Sequence, residues 1–345
     1  MFAQSSRRAL VAGLISTTLC LSAGTALAQS GPAPAKVKIG IYGILPEAGL
    51  FIAQERGYFA AENLTVEFIA NAAGPEALPA LVSGELDAVG GAVTPGVVNA
   101  TKRGIPIKMV TSTSSWEDVG NSSFFLIRKD LADKVKDWKD LKGLKIAIAP
   151  AQPNFNGFIV EKALALGGLT LKDVQTVEVP LQSMIVALKT GGVDGAHTSE
   201  PLSTLAVENG NAIKWRPAST YIPGLNPSML SYGPNLLNKT PEVGQRFLVA
   251  YLRGARDYVK AMATGEGKAE IISILIKNTT VKDPALYARM GMSHIDPDGV
   301  MNVKLVQEAL DYYLANGVIE KTAAAGLIDD SFRQAALKKL GEYKR

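Results

Sequence analysis

The chain has 345 residues, of which 47% are hydrophobic and 20% are charged, and its formal net charge is +4. These values are ordinary for a globular protein, and a chain of this length usually holds two domains. Basic and acidic residues are interspersed, with no dense run of lysine or arginine. The composition therefore argues against nucleic acid as a partner.

The N-terminus has the three parts of an export signal. Arg7-Arg8 is a basic start, an apolar stretch runs from Ala9 to about Leu21, and Ala26-Leu27-Ala28 fits a cleavage site with small residues. We therefore predict a signal peptide at residues 1–28. The paired arginines leave both Sec and twin-arginine export open.

The predicted export route fixes several expectations about the mature protein. We expect a flexible, proline- and alanine-rich tether at residues 29–36, followed by a soluble, monomeric protein in the periplasm. Cys20 is the single cysteine and lies within the signal. The exported chain would therefore have no disulfide and no thiolate metal site.

Apolar, strand-like runs then alternate with helix-like segments, as in α/β lobes with largely parallel sheets. We expect one antiparallel strand at each crossing between lobes. The strands predicted from these runs lie at Val37–Tyr42, Leu64–Ile69, Ile107–Ser112, Phe124–Arg128, Lys145–Ala149, Val174–Val179 and Ser228–Tyr232, with two more in the repeat described next. From Pro241 onward the pattern is helical, and one of the helices predicted there covers Asp283–Met290.

A short phrase occurs twice in the chain. Each copy ends a helix-like segment, enters a short buried strand and stops at Pro95 or Pro201. The repeat predicts two similar lobes, each placing a strand-end loop and a helix N-terminus at a shared cleft; chance similarity among small residues is the alternative. The recurring residues are Leu81, Gly84, Leu86 and Asp87 in the first copy and Leu188, Gly191, Val193 and Asp194 in the second.

The sequence has few signs of catalytic chemistry. It contains no glycine-rich phosphate loop and no Gly-x-Ser-x-Gly elbow. Its two histidines, His197 and His294, lie far apart, and no cluster has metal-ligand spacing. We therefore predict no catalytic residue, no metal site and no cofactor, and we favour ligand binding over turnover.

Several stretches together resemble a known family. The helix and turn of Gly49–Phe59 form the most specific match. The resemblance is to the ABC-transporter periplasmic solute-binding proteins of the nitrate/sulfonate/taurine (SsuA/NMT1-like) family and to related binders of thiamine pyrimidine precursors. The other matching stretches are Glu62–Glu67, Ala80–Asp87, Asp140–Ala147, Gly192–Asp194 and Glu200-Pro201.

The resemblance covers most of Val37–Asn316 and implies an α/β fold of the type II periplasmic binding class. Two α/β lobes would be joined by two crossing strands and would close on one small molecule. The boundaries it implies are residues 37–124 plus 225–345 for lobe 1 and residues 125–224 for lobe 2. The closed protein would present its solute to the transmembrane permease subunits of an ABC importer.

The resemblance also implies a ligand site on the strand-end loops. The loop from Gln152 to Asn156 departs from the Gly-Ser/Thr turn of the anion-binding relatives, which puts a sulfonate or nitrate ligand in doubt. Asparagine amides both donate and accept hydrogen bonds, and Phe155 offers a flat apolar face. The residues carried over by position are Tyr42, Pro46, Glu47, Gly74, Thr94, Ser114, Trp116, Asn154, Phe155, Asn156 and Glu200.

Each of these residues also has a structural interpretation. Tyr42 is equally compatible with a core position, and Thr94 with a helix N-cap. The carboxylate of Glu200 needs a partner, which would be a ligand amine or a protein cation such as Arg216. Arg128 and Arg216 are candidate partners for an anion or are solvated side chains.

If the aromatic residues converge, the pocket suits a small aromatic or heterocyclic solute or an organic anion such as a carboxylate or sulfonate. Two other functions stay open. One is an enzyme of the thiamine-pyrimidine-synthase type on the same fold. The other is a ligand sensor for a membrane receptor.

Overall fold

The computed structural model describes residues 32–344, so the predicted signal peptide lies outside the described residues. Ten strands form in this range. They are β1 (Ala35–Ile41), β2 (Leu64–Ala70), β3 (Ala88–Gly91), β4 (Lys108–Ser114), β5 (Ser123–Arg128), β6 (Lys145–Ile148), β7 (Gln175–Glu178), β8 (Gly195–Ser199), β9 (Ala212–Pro217) and β10 (Ser228–Tyr232).

Twelve α-helices connect or follow these strands within the same range. They are α1 (Ala48–Glu55), α2 (Tyr58–Ala61), α3 (Leu78–Ser83), α4 (Pro95–Lys102), α5 (Phe155–Ala165), α6 (Met184–Thr190), α7 (Leu202–Glu208), α8 (Pro241–Thr264), α9 (Lys268–Asn278), α10 (Pro284–Tyr287), α11 (Val303–Ala315) and α12 (Ser331–Leu340).

The strands form two five-stranded sheets of matching design. The first sheet has the order β2-β1-β3-β10-β4 and the second has the order β7-β6-β8-β5-β9. In each sheet four strands run in the same direction, while β10 in the first sheet and β5 in the second run opposite and pair antiparallel with both neighbours. The expected antiparallel strand at each crossing is confirmed. The strand β9 was not predicted.

The chain crosses between the sheets twice, through residues 115–122 and residues 218–227. The two crossing segments are hydrogen-bonded to each other. The Trp116 N–H donates to Leu225 O at 2.9 Å, and the Gly224 N–H donates to Trp116 O at 2.8 Å. The Asn226 amide donates to Ser114 O at 3.2 Å. The sheets are therefore joined through one paired connection.

The repeated sequence phrase forms the same turn in both sheets. Gly84 ends α3 with φ of 81°, and Gly191 ends α6 with φ of 73°. Glycine adopts this left-handed conformation at little cost, whereas other residues are strained there. Leu81 and Leu188 are fully buried beside these turns. The recurring glycine and leucine therefore have the same structural roles in both copies.

The recurring aspartate bonds each turn to a neighbouring parallel strand, β1 in the first sheet and β6 in the second. The Asp87 carboxylate accepts the Lys38 N–H at 2.7 Å, and the Asp194 carboxylate accepts the Lys145 N–H at 2.9 Å. Asp194 also forms an ion pair with Arg128 at 2.8 Å. The candidate anion partner Arg128 is thus engaged within the second sheet.

The C-terminal helices complete two apolar clusters. The first cluster covers the first sheet with α1 and α8. These two helices cross so closely that a Cβ on Gly254 would lie 2.1 Å from Gly49 O. The second cluster joins α5 and α11 with residues of both sheets, including Val93 and Phe125. Because α11 packs into this shared cluster, it contributes to holding the two sheets together.

Pro34–Arg345 forms one compact unit that contains both sheets. The lobe boundaries, residues 37–124 plus 225–345 and residues 125–224, therefore stay a prediction. Within the described residues, no helix has the length and apolar character needed to cross a membrane.

Candidate functional site

Glu47 shapes the loop that follows β1. One carboxylate oxygen accepts the Tyr42 N–H at 2.8 Å, and the other accepts the N–H groups of Gly43 at 2.7 Å and Ile44 at 3.0 Å. The side chain is buried, and this burial raises the pKa of Glu47, although the three N–H donors act in the opposite direction. Its carboxylate thus orients Tyr42 through the backbone.

Tyr42 and Gly74 lie in direct contact at the carboxyl edge of the first sheet. A Cβ on Gly74, whose φ is 65°, would lie 1.7 Å from the Tyr42 hydroxyl oxygen. Gly91 closes the other side, since a Cβ there would lie 3.2 Å from Gly74 Cα. The Tyr42 ring is still 38% exposed. Burial, followed by the charges of Glu76 and Glu47, raises the pKa of Tyr42 to about 12.

The end of β4 adds buried hydroxyl groups beside this loop. The side-chain oxygens of Ser112, Thr113 and Ser114 are buried and have no hydrogen-bond partner among residues 32–344. The turn Leu45–Glu47 lies next to β4. An unsatisfied buried hydroxyl costs roughly 1–3 kcal/mol, so these groups are positioned to gain from a polar partner.

Thr94 is the N-cap of α4, the structural role that its sequence position suggested. Its hydroxyl accepts the Val97 N–H at 3.3 Å and so caps α4. The adjacent Val93 carbonyl accepts the Tyr313 hydroxyl of α11 at 3.0 Å. The loop after β3 is therefore fixed between α4 and α11.

An aromatic contact joins the two crossing segments to β8 of the second sheet. The rings of Trp116 and His197 lie 5.1 Å apart, and His197 Nδ1 is 2.7 Å from the Tyr221 hydroxyl. All three side chains are buried. Burial lowers the pKa of His197 to about 3 and raises the pKa of Tyr221, so both groups are neutral at physiological pH.

The asparagines after β6 hold their own loop. The Asn154 side chain accepts the Gly157 N–H at 3.0 Å and donates to the carbonyls of Ala149 and Pro150. Asn156 accepts the Ala149 N–H at 2.9 Å. Both amides thus serve the backbone around the start of α5.

Phe155 starts an aromatic row that continues onto α11. Its ring lies 5.8 Å from that of Phe158, which lies 5.9 Å from that of Tyr312. The Tyr312 hydroxyl lies 3.5 Å from Gln152 Oε1. Phe155 remains partly exposed at the edge of the second apolar cluster.

Glu200 has protein partners on both oxygens. One oxygen accepts Lys214 Nζ at 2.6 Å and the Gly291 N–H at 3.3 Å, and the other accepts the Thr204 N–H at 3.0 Å. The suggested partner Arg216 instead donates to two main-chain carbonyl groups. The cation that pairs with Glu200 is therefore Lys214.

The structure thus brings together Tyr42, Glu47, Gly74 and the end of β4, with Pro46 in the adjoining turn. The polar groups of Asn154, Asn156 and Glu200 are engaged in local structure. From the polar run Thr111–Ser115, the sequence selects Ser114 as a candidate ligand residue and leaves Ser112 as a turn former. The structure adds the buried hydroxyls of Ser112 and Thr113 to the same strand end.

Solved structures share this architecture. The aliphatic sulphonate binding protein SsuA of Escherichia coli superposes with a TM-score of 0.69 at 18% identity, over 86% of this chain and 92% of SsuA. The nitrate-binding protein NrtA of Synechocystis gives a TM-score of 0.70 at 16% identity, over 90% of each chain. The fold is thus that of the type II periplasmic binding proteins, as predicted.

Comparison of the sequence with known proteins identifies the family of the chain. Residues 30–216 match the NMT1-like family. A Haemophilus influenzae protein that bears a provisional thiamine biosynthesis name is 30% identical over 237 residues, which are 67% of this chain and 71% of the relative. The chain belongs to the NMT1-like family.

Proposed function

We propose that this protein is the periplasmic solute-binding component of an ABC importer. It binds a small organic solute between the two sheets and delivers it to the permease subunits when the sheets close. The contact of Tyr42 with Gly74, and the turn Leu45–Glu47 that lies against β4 with its unpartnered hydroxyls, carry this proposal. The similarity to SsuA and NrtA, whose names give sulphonate and nitrate as ligands, supports it.

The groups at this edge favour an organic ligand with both a ring and polar atoms. The partly exposed Tyr42 ring offers a flat surface, and the β4 hydroxyls can donate or accept hydrogen bonds. The charges acting on Tyr42 are the carboxylates of Glu76 and Glu47. An inorganic anion would be repelled by these carboxylates, so an aromatic or heterocyclic solute fits best. An organic anion would bind with its charged group pointing away from Glu76 and Glu47.

A thermal-shift screen tests the proposal. The panel contains aromatic carboxylates, aminopyrimidines, sulfonates and nitrate, each added at a hundredfold excess over the protein. A true solute present at about 100 times its Kd should stabilise the protein by about 2.7 kcal/mol. Stabilisation by nitrate alone would contradict the proposed solute class.

Two variants then locate the solute. Tyr42→Phe and Ser114→Ala should each weaken binding by about two- to tenfold, the value of one neutral hydrogen bond. Tyr343→Phe, which alters a hydroxyl at the C-terminal end of the chain, is the control and should bind as the wild type does. Unchanged affinity in both site variants would place the solute away from this edge.

The name of the Haemophilus relative favours a second candidate, an enzyme in thiamine biosynthesis. The single cysteine, Cys20, lies in the predicted signal, so no other thiol could serve as a nucleophile. Mass spectrometry of the solute after incubation distinguishes the two functions. A binding protein returns the solute unchanged, whereas an enzyme returns a product.

A further inference from the structure

Helix α7 lies between β8 and β9 in the chain and accompanies the second sheet. The segment at residues 283–292 contacts it near both ends. Glu208, the last residue of α7, pairs with Arg289 at 2.5 Å. Glu200, just before α7, accepts the Gly291 N–H at 3.3 Å. Two polar contacts thus join the region of α7 to the chain that follows β10.

An apolar contact lies between these two polar ones. Leu205, in the middle of α7, packs against the apolar cluster of the first sheet. That cluster contains Leu286, Tyr287 and Met290, all within residues 283–292. Leu205 therefore packs against the apolar cluster to which this segment belongs.

The same segment lies against the first crossing. A Cβ on Gly291 would lie 1.6 Å from Asn121 O, so a glycine is needed for this close approach. The chain continues to His294, whose carbonyl accepts the Ser115 N–H at 3.0 Å. Residues 283–294 thus contact both the connection between the sheets and the helix beside it.

We propose that α7 and residues 283–292 form a hinge clamp that opposes separation of the two sheets. Its contacts are made in the arrangement seen here and are lost when the second sheet rotates away. The clamp sets the fraction of protein that is ready to bind, and the apparent Kd scales inversely with that fraction. This consequence for affinity rests on the proposed function, whereas the clamp itself does not.

Charge reversal tests the clamp in the absence of any solute. In Arg289→Glu and in Glu208→Arg the ion pair becomes a repulsion, and we expect a larger radius of gyration by small-angle scattering. Hydrogen exchange of the α7 amides should accelerate about two- to fivefold, as expected for a partly exposed ion pair. The double variant, which restores opposite charges, should return both readouts to wild type.

Lys260→Glu serves as the matched control, because Lys260 forms an exposed ion pair with Glu266 at 2.9 Å away from α7. It should leave the scattering curve and α7 exchange unchanged. Leu205→Ala removes the apolar contact without changing charge and should open the protein in the same direction. Unchanged or more compact single variants, or a double variant that fails to recover, would overturn the clamp. A failed solute screen would affect only the proposed function.

Discussion

The two copies of the repeated turn differ in how the second oxygen of the aspartate is used. In the first sheet, Asp87 accepts the Asn235 amide at 2.7 Å. In the second sheet, Asp194 pairs with the Arg128 guanidinium at 2.8 Å. The bond from the aspartate to β1 or β6 is the same in both copies. The two copies therefore share that bond, while the outer partner is neutral in one copy and charged in the other.

The copies also diverge along the strands that follow. Gly90 of β3 lies against the Glu47 carboxylate, since a Cβ there would lie 3.2 Å from its oxygen. The corresponding position in β8 is His197, which is buried against Trp116 and Tyr221. One architecture thus carries an acidic loop in the first sheet and a neutral aromatic cluster in the second.

The largest expected difference concerns the two aspartates. Asp194→Ala removes the acceptor of the Lys145 N–H and leaves Arg128 with one fewer partner, which we expect to cost about 3 kcal/mol of unfolding free energy. Asp87→Ala leaves only neutral donors without an acceptor and should cost about 2 kcal/mol. Urea unfolding measures both, and equal losses would show that the outer partner contributes nothing.

His197 should make the second sheet sensitive to acid. Its pKa falls from 6.5 to about 3 on folding, so the unfolded chain takes up the proton first. Neutral His197 contributes fully to the free energy of unfolding above pH 6.5. This contribution is lost as the pH falls toward 3, by at most about 1.4 kcal/mol per pH unit. His197→Gln should lose stability less steeply over this range in urea unfolding. Parallel pH profiles would contradict a neutral, buried His197.

The paired glycines should show a smaller difference. Gly84→Ala and Gly191→Ala each place a side chain in the left-handed region, at a cost of roughly 1–2 kcal/mol. The Cβ at residue 84 would meet Asn235, which is fixed by hydrogen bonds to Gly84 O and Asp87. At residue 191 it would meet the guanidinium of Arg128, which is ion-paired but stands at the end of a longer side chain that can shift further. We therefore expect Gly84→Ala to be the more destabilising in thermal unfolding. The reverse order would show that Arg128 is the more rigid neighbour.

The smallest expected difference between the two copies of the turn is in the salt dependence of their coupling energies. A double-mutant cycle on Asp194 and Arg128 should give a coupling of about 0.5–1 kcal/mol that shrinks between 0.05 M and 0.5 M salt. The same cycle on Asp87 and Asn235 should be nearly independent of salt, because the amide carries no net charge. Equal salt dependence in both cycles would argue against the assigned difference.

The features that the sequence predicted well are local ones. The left-handed glycines of the repeat act within their own turn, so the spacing of the repeat was sufficient to find that turn. The aspartates instead bond Lys38 and Lys145, which are remote in sequence, so their partners could not be predicted. The strand β9 was missed because Ala212–Pro217 contains two cations and ends in proline. Pairing with β5, which is remote in sequence, forms this strand.

Contacts between distant segments explain the remaining differences. The sequence pattern predicted a helix over Asp283–Met290, but α10 covers only Pro284–Tyr287. Arg289 turns instead toward Glu208 of the second sheet. Likewise, the partner of Glu200 could not be chosen from sequence, because several cations were available and only the fold places Lys214 beside it.

Small-angle scattering with and without the solute that most stabilises the protein tests the central claim most directly. We expect the radius of gyration to fall when the solute binds, because the two sheets close around it. Stabilisation by a solute with an unchanged scattering profile would show that this solute does not bind by closure of the two sheets.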